Sequence, residues 1–210
     1  MRKVLAFVAV SLLASSAWAI TDEGPNSLGV YFDDGTFEVN CYEPTANLPH
    51  FMYFVVASPE TPSNTIAGFE FFWDWDPAPA LAPFLLAVTL PPGSLNVGDN
   101  QNLIVGFGSA PLPNLPATLI VSAQLLWVVV PAVQTYVTVG PATPATIPGR
   151  CAIADGADAG FLVPLDFSTV DGVDVVVDGD GFVRPGIGSI GCPAPIATET
   201  KTWGSVKSLY

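Results

Sequence analysis

In "VDGVDVVVDGDGFVRPG" four carboxylates, Asp171, Asp174, Asp178 and Asp180, crowd one short stretch around a tight Asp-Gly turn. A calcium ion takes roughly six to eight oxygen ligands, which closely spaced acids and a glycine-permitted turn can begin to supply. The stretch is therefore a candidate calcium site, and "DGADAG" around Asp155 and Asp158 could complete it if the fold brings the two together. The bidentate glutamate that closes the usual calcium loop is missing, Ser189 standing near its place. The same residues also read as a plain hairpin, with "VDVVV" and "FVR" as strands and "DGDG" as a solvated turn. No cofactor is required on either reading, and calcium is the one candidate.

A second chemistry is written in "IAGFEFFWDWDP", Ile66 to Pro77. A strand sends alternate side chains to opposite faces, so Phe69, Phe71, Trp73 and Trp75 share one face while Glu70, Phe72, Asp74 and Asp76 share the other. Aromatic rings stack on the apolar faces of sugars, and flanking carboxylates bond sugar hydroxyls, which makes the stretch a candidate carbohydrate platform. Yet each aromatic buries about 150–250 Å², and four exposed in a row would form an adhesive patch that soluble monomers rarely carry. The pattern predicts a core face backed by a mostly exposed acidic face. Trp73, Asp74, Trp75 and Asp76, nearest the rim, are the binding candidates.

Catalytic groups are scarce. His50 is the one histidine, so metal sites built on paired histidines are excluded by counting. Any Ser-His-Asp or Cys-His arrangement would have to use it, and no G-x-S-x-G elbow occurs. At a strand start, in "NLPHFMYF", His50 is expected to be a partly exposed hydrogen-bonding residue. Nineteen acids leave a two-carboxylate glycoside hydrolase conceivable. None of them sits in a recognisable catalytic context, and the sequence reads as non-enzymatic.

Three cysteines, Cys41, Cys151 and Cys192, are too far apart for a CxxC knuckle or redox pair. One structural disulfide with one thiol left over is the expectation, and the pairing is open. Cys151 with Cys192 closes the shortest loop. Burial is the expected fate of the odd thiol.

These groups need a compartment and a scaffold. "MRK", the apolar run "VLAFVAVSLLASS" and "AWA" have the order of a secretory leader, with cleavage after Ala19. The apolar run is too short for a membrane span of about 20 residues, and no later segment supplies one. Once Arg2 and Lys3 leave with the leader, Arg150, Arg184, Lys201 and Lys207 face all nineteen acids. Such a chain repels nucleic acid and anionic membrane surfaces. A secreted location, whether extracellular, cell-surface or periplasmic, also permits the disulfide.

Helical signals are nearly absent, while short Val-, Ile-, Phe- and Thr-rich runs alternate with Gly, Pro and Asn turns. Candidate strands are "SLGVYFD", "TFEVNCYE", "HFMYFVVAS", "IAGFEFFWDWD", "LLAVTLP", "NLIVGFG", "ATLIVSAQLLWVV", "QTYVTVGPA", "VDVVVD" and "FVRPG". Strands at this spacing predict an all-β, two-sheet antiparallel sandwich. The expected layout is a leader over 1–19, a sandwich over 20–147, an acidic Gly- and Asp-rich extension over 148–196 that packs on it, and a tail over 197–210. In that tail Trp203, Val206 and Tyr210 fall at helical spacing. Trp203, Leu209 and Tyr210 are candidates for docking or for recognition by an export or surface-attachment machine.

The run "NTIAGFEFFWDWDP", followed by "AVTLPPGSL", "NLIVGFG", "ATLIVSAQLLW" and "QTYVTVGPA", resembles the cohesin-like and related carbohydrate-binding sandwiches of bacterial secreted proteins. The match falls on Ile66, Gly68, Phe69, Phe71, Trp75, Asp76 and Pro77, then on Pro92, Gly93, Ser94 and Leu95. The resemblance implies a jelly-roll or Ig-like sandwich of cohesin type that acts by binding another extracellular protein or a polysaccharide. The long Pro-rich connections, the cysteines and the C-terminal extension depart from that pattern, and no dockerin-like partner segment is present. The sequence thus leads to a secreted, non-enzymatic binding module. A structural subunit of an extracellular layer or filament is the competing expectation, and a glycoside-active enzyme the remaining one.

Overall fold

The structure, a computed structural model, describes residues 25–32, 35–37, 39, 41–167 and 189–190, with the backbone alone at 166, 167 and 189. The expected leader, the four acids from Asp171 to Asp180, Cys192 and the tail residues Trp203, Leu209 and Tyr210 lie outside the described residues.

The described residues form strands and no helix: β1 (Ser27–Tyr31), β2 (Cys41–Tyr42), β3 (Pro49–Ala57), β4 (Thr65–Asp76), β5 (Phe84–Thr89), β6 (Leu95–Asn96), β7 (Asn102–Gly106), β8 (Leu112–Pro113), β9 (Ala117–Leu126), β10 (Thr135–Gly140), β11 (Ala152–Asp155), β12 (Leu162–Pro164), β13 (Asp166–Phe167) and β14 (Ser189–Ile190). One sheet runs β13-β1-β3-β9-β5; the other runs β12-β11-β4-β10-β14-β2, with β7 and β8 on β4 and β6 on β7. Pairing is antiparallel except for the short β1·β13 and β2·β14 pairs. The two sheets pack face to face as a sandwich. Strands from beyond residue 147 belong to the same two sheets, β11 lying directly on β4.

β4 organises the second sheet because its twelve residues pair with β7, β8, β10 and β11. Phe69, Phe71, Trp73 and Trp75 all point inward and are buried, Trp73 at 2% and Trp75 at 8% exposure. They meet Phe54, Phe107 and Trp127, with ring centroids 5.0–5.8 Å apart. Full burial of one large apolar side chain contributes roughly 1.5–3 kcal/mol, so this row is a major source of stability. Gly68 is required beside it, since a Cβ there would collide with the Val105 carbonyl oxygen of β7.

The opposite face of β4 departs from the expected open acidic surface. Glu70 is buried, its Oε1 accepting from Thr146 N at 2.7 Å and Ile147 N at 3.4 Å, and its Oε2 accepting from Thr146 Oγ1 at 2.7 Å. Asn102 and Thr143 add a reciprocal pair, Thr143 N donating to Asn102 Oδ1 at 2.8 Å and Asn102 Nδ2 to Thr143 O at 2.7 Å. The loop from 141 to 150 is thereby tied down over the middle of β4. Only towards Asp74 and Asp76 does that face open.

Candidate functional site

Where β4 ends, a cleft of about 570 Å³ opens between the loops that follow β4 and β6. Trp73 and Trp75 contribute its inner wall, Asp74 its edge, Pro79, Ala82 and Pro83 one side, and Asp99, Asn100 and Gln101 the other. The second wall is fixed by hydrogen bonds. Trp73 Nε1 donates to Asn100 O at 2.9 Å, and Trp73 N to Gln101 O at 3.0 Å. Asp99 Oδ1 accepts from Gln101 N at 2.8 Å and Asn102 N at 2.7 Å, closing the turn on itself. Those donors, Asn102 first and Gln101 second, hold the Asp99 carboxyl below the usual carboxylate range.

Asp74 Oδ1 accepts from Trp75 N at 2.8 Å, and Thr138 Oγ1 donates to Asp74 O at 3.1 Å. One oxygen of each carboxylate thus serves the backbone. With the amides of Asn100 and Gln101 and the Pro- and Ala-rich wall, the cleft can bond hydroxyls and cover an apolar ring face. The sequence brought Trp73, Asp74 and Trp75 here. Asp76 is half-buried, lies opposite Tyr136 in the β4·β10 register, and is not part of the lining. Asp99, Asn100, Gln101 and the Pro79–Pro83 wall escaped sequence reasoning. Their signal was the turn text "VGDNQN" and "APALAP", which marks loops without saying that they face each other.

His50 differs from its expected half-exposed state: it is 6% exposed, stacked on Tyr42 at 4.9 Å between ring centroids. Its Nε2 accepts the Trp127 indole N–H at 3.2 Å, and its buried Nδ1 has no hydrogen-bond partner. An acceptor Nε2 places the proton of the neutral ring on Nδ1. Burial lowers the pKa of this imidazole, the Leu48 carbonyl opposing the shift. It is a core residue, occupied by Trp127.

Cys151 is a correction to the disulfide candidates. It is a free, fully buried thiol, with its Sγ donating to Gly140 O at 3.0 Å, so the shortest-loop pairing with Cys192 does not form. Burial, with Glu70 adding to it, pushes its pKa up and keeps it inert.

Asp155 and Asp158, the candidates to complete a calcium site with acids that lie outside the described residues, accept from backbone donors. Asp155 accepts from Ser63 N at 2.7 Å and from Ala157 N and Asp158 N at 3.0 Å each; Asp158 Oδ1 accepts from Gly160 N at 3.0 Å. Burial alone would raise the Asp155 pKa, but these donors outweigh it and hold the carboxyl at about 2. Among the described residues no cluster of three or more His, Cys, Asp or Glu is placed to hold a metal ion, and no helix is long and apolar enough to cross a membrane.

A second concavity, about 510 Å³, lies at the far end of the sandwich between Glu60, Thr61, Pro62 and the β12 edge with Phe161 and Val163. It is shallower in polar groups, Glu60 being its one charged residue. No protein-family model matches this chain, and no curated protein or solved structure does either.

Proposed function

We propose that the protein is a secreted, non-enzymatic binding module that takes a polysaccharide in the cleft at the end of β4. The observation that carries this reading is the convergence of Asp74, Asp99, Asn100 and Gln101 on a cleft whose inner wall is Trp73 and Trp75. Backbone donors lower the Asp99 pKa, which suits a carboxylate that accepts from ligand hydroxyls. The lone histidine is committed to Trp127 in the core.

The cysteines support the secreted reading. With Cys151 free and Cys41 disulfide-bonded, Cys192 is the remaining partner by elimination. Peptide mapping without reductant should recover a Cys41–Cys192 link, with Cys151 alkylated only after denaturation.

The main test is binding to soluble glucans, xylan and chitin oligosaccharides followed by affinity electrophoresis. Asp74→Asn combined with Gln101→Ala should weaken binding at least about tenfold, the equivalent of roughly 1.4 kcal/mol, while the melting temperature is retained. Retained affinity in that variant would move the ligand elsewhere.

One observation favours a second reading, the structural subunit. β5 ends its sheet among the described residues and carries exposed Phe84 and Leu86, an open template for strand addition by another chain. Concentration-dependent association that Leu86→Lys abolishes would support it, and a monomer at all concentrations would dismiss it.

A further inference from the structure

The inner wall of the cleft continues into the core as a row of touching rings. Trp73 and Trp75 stand edge to face, with 5.8 Å between centroids and 85° between planes, and Trp75 meets Trp127 in the same manner at 5.4 Å and 71°. Trp127 in turn gives its indole N–H to His50 Nε2 at 3.2 Å. At the other end of the row Trp73 Nε1 donates to Asn100 O, on the opposite wall of the cleft, at 2.9 Å. His50 also lies opposite Leu125 in the β3·β9 register, and Leu125 lines the cleft. A titratable ring thus closes one end of a packed row whose other end is the site.

An indole N–H can only donate, so its bond to His50 exists only while Nε2 keeps a lone pair. A charged imidazole donates from both nitrogens, which would set Nε2–H against the Trp127 N–H. The groups that face the ring are Tyr42 from β2, the Leu48 carbonyl from the connection before β3, and Trp127 from the end of β9. Tyr42 is the one titratable group among them, and Glu43 next to it is exposed. Among the described residues no Asp, Glu, Lys or Arg bonds to the imidazole, and its Nδ1 is buried without a partner. Only the Leu48 carbonyl favours the charged ring, and burial outweighs it.

We propose that His50 is a proton switch on the cleft: charging its ring breaks the bond to Trp127, the indole turns away, and Trp75 and Trp73 lose the packing that holds the inner wall, so that acid releases the polysaccharide. The Trp127 backbone stays in place, its carbonyl bonded to Asn47 N at 2.7 Å, so the change is carried by side chains. Because the ligand binds the neutral form, its presence in turn makes His50 harder to protonate.

Two measurements on the mature chain test the switch. Without ligand, the indole N–H signals of Trp73, Trp75 and Trp127, followed by NMR from pH 7.5 to 4.5, should move together in one step that begins below about pH 6.5. His50→Gln, whose side-chain carbonyl still accepts from Trp127 but does not titrate, should show no step. In calorimetric titrations with soluble glucans, xylan and chitin oligosaccharides, affinity should fall at least about fivefold over the same range and stay level in His50→Gln. The second measurement rests on the cleft being the polysaccharide site; the first does not. Signals that stay still, or that move identically in His50→Gln, overturn the proposal. A step confined to Trp127, or a common step with unchanged affinity, overturns it too. A common step with no polysaccharide bound at any pH upholds the switch and sinks the reading of the cleft. Should His50→Gln fail to fold, Trp127→Phe removes the donor instead, and Trp73 and Trp75 should then lose their step.

Discussion

The two ends of the sandwich are built on opposite principles. At the far end, polar side chains satisfy the turns from within: Asp155 collects three backbone N–H groups, Asn114 Nδ2 donates to Pro59 O at 2.7 Å, and Thr61 Oγ1 donates to Thr65 O at 2.8 Å. Glu60 N donates to Asn26 Oδ1 at 2.7 Å in the same cluster. At the end where β4 terminates, Asp99 likewise serves two backbone N–H groups and Asp74 one, yet the connections, held also by backbone bonds such as Asn47 N to Trp127 O at 2.7 Å, display valines, Leu48 and Phe84. An end that consumes its own polar groups has little left for a ligand. An end that displays apolar side chains beside the exposed Asp74 and Asp99 is where binding should be sought.

Substitutions should expose that asymmetry. The largest effect belongs to the floor of the binding end, where Trp127→Ala removes a fully buried ring and orphans His50; urea unfolding should show a loss of about 3–5 kcal/mol. At the far end Asn114→Ala, which leaves the Pro59 carbonyl without its donor, should cost about 1–2 kcal/mol in the same assay. By contrast Val129→Ser or Val133→Ser at the open end should stay within about 0.5 kcal/mol. Comparable costs at both ends would erase the distinction.

Acid should separate the ends as well. The His50 pKa is lowered in the folded protein, so the unfolded chain takes up its proton first, and stability falls as pH drops below about 6.5. The loss levels off once the folded imidazole protonates, and His50→Gln should remove this part of the profile. The Asp155 pKa is depressed to about 2, so its contribution is full above the ordinary carboxylate range and disappears as pH falls from about 4 towards that value. Asp155→Asn should flatten the profile there. Urea unfolding across pH 7 to 2 checks both, and a slope unchanged in both variants would refute the assignments.

Much of this was legible beforehand for a physical reason. Strand period is local, so the alternation in "IAGFEFFWDWDP" placed Phe69, Phe71, Trp73 and Trp75 on a buried face directly. The sandwich itself followed from turn spacing. Glu70 misled because its cover, Thr146 and Ile147, is more than seventy residues away and carries no motif. His50 misled likewise, since the indole that buries it comes from the end of β9. The cleft was half readable: Trp73, Asp74 and Trp75 are one strand, but Asp99 to Gln101 join them only through β7 pairing with β4.

The most direct test sets one end against the other in a single binding experiment. Polysaccharide affinity should be measured for the unsubstituted protein, for Asp74→Asn with Gln101→Ala in the cleft, and for Glu60→Ala with Phe161→Ala in the far concavity. The account predicts at least a tenfold loss for the first variant and unchanged affinity for the second. Loss in the far-end variant with the cleft variant unaffected would contradict it.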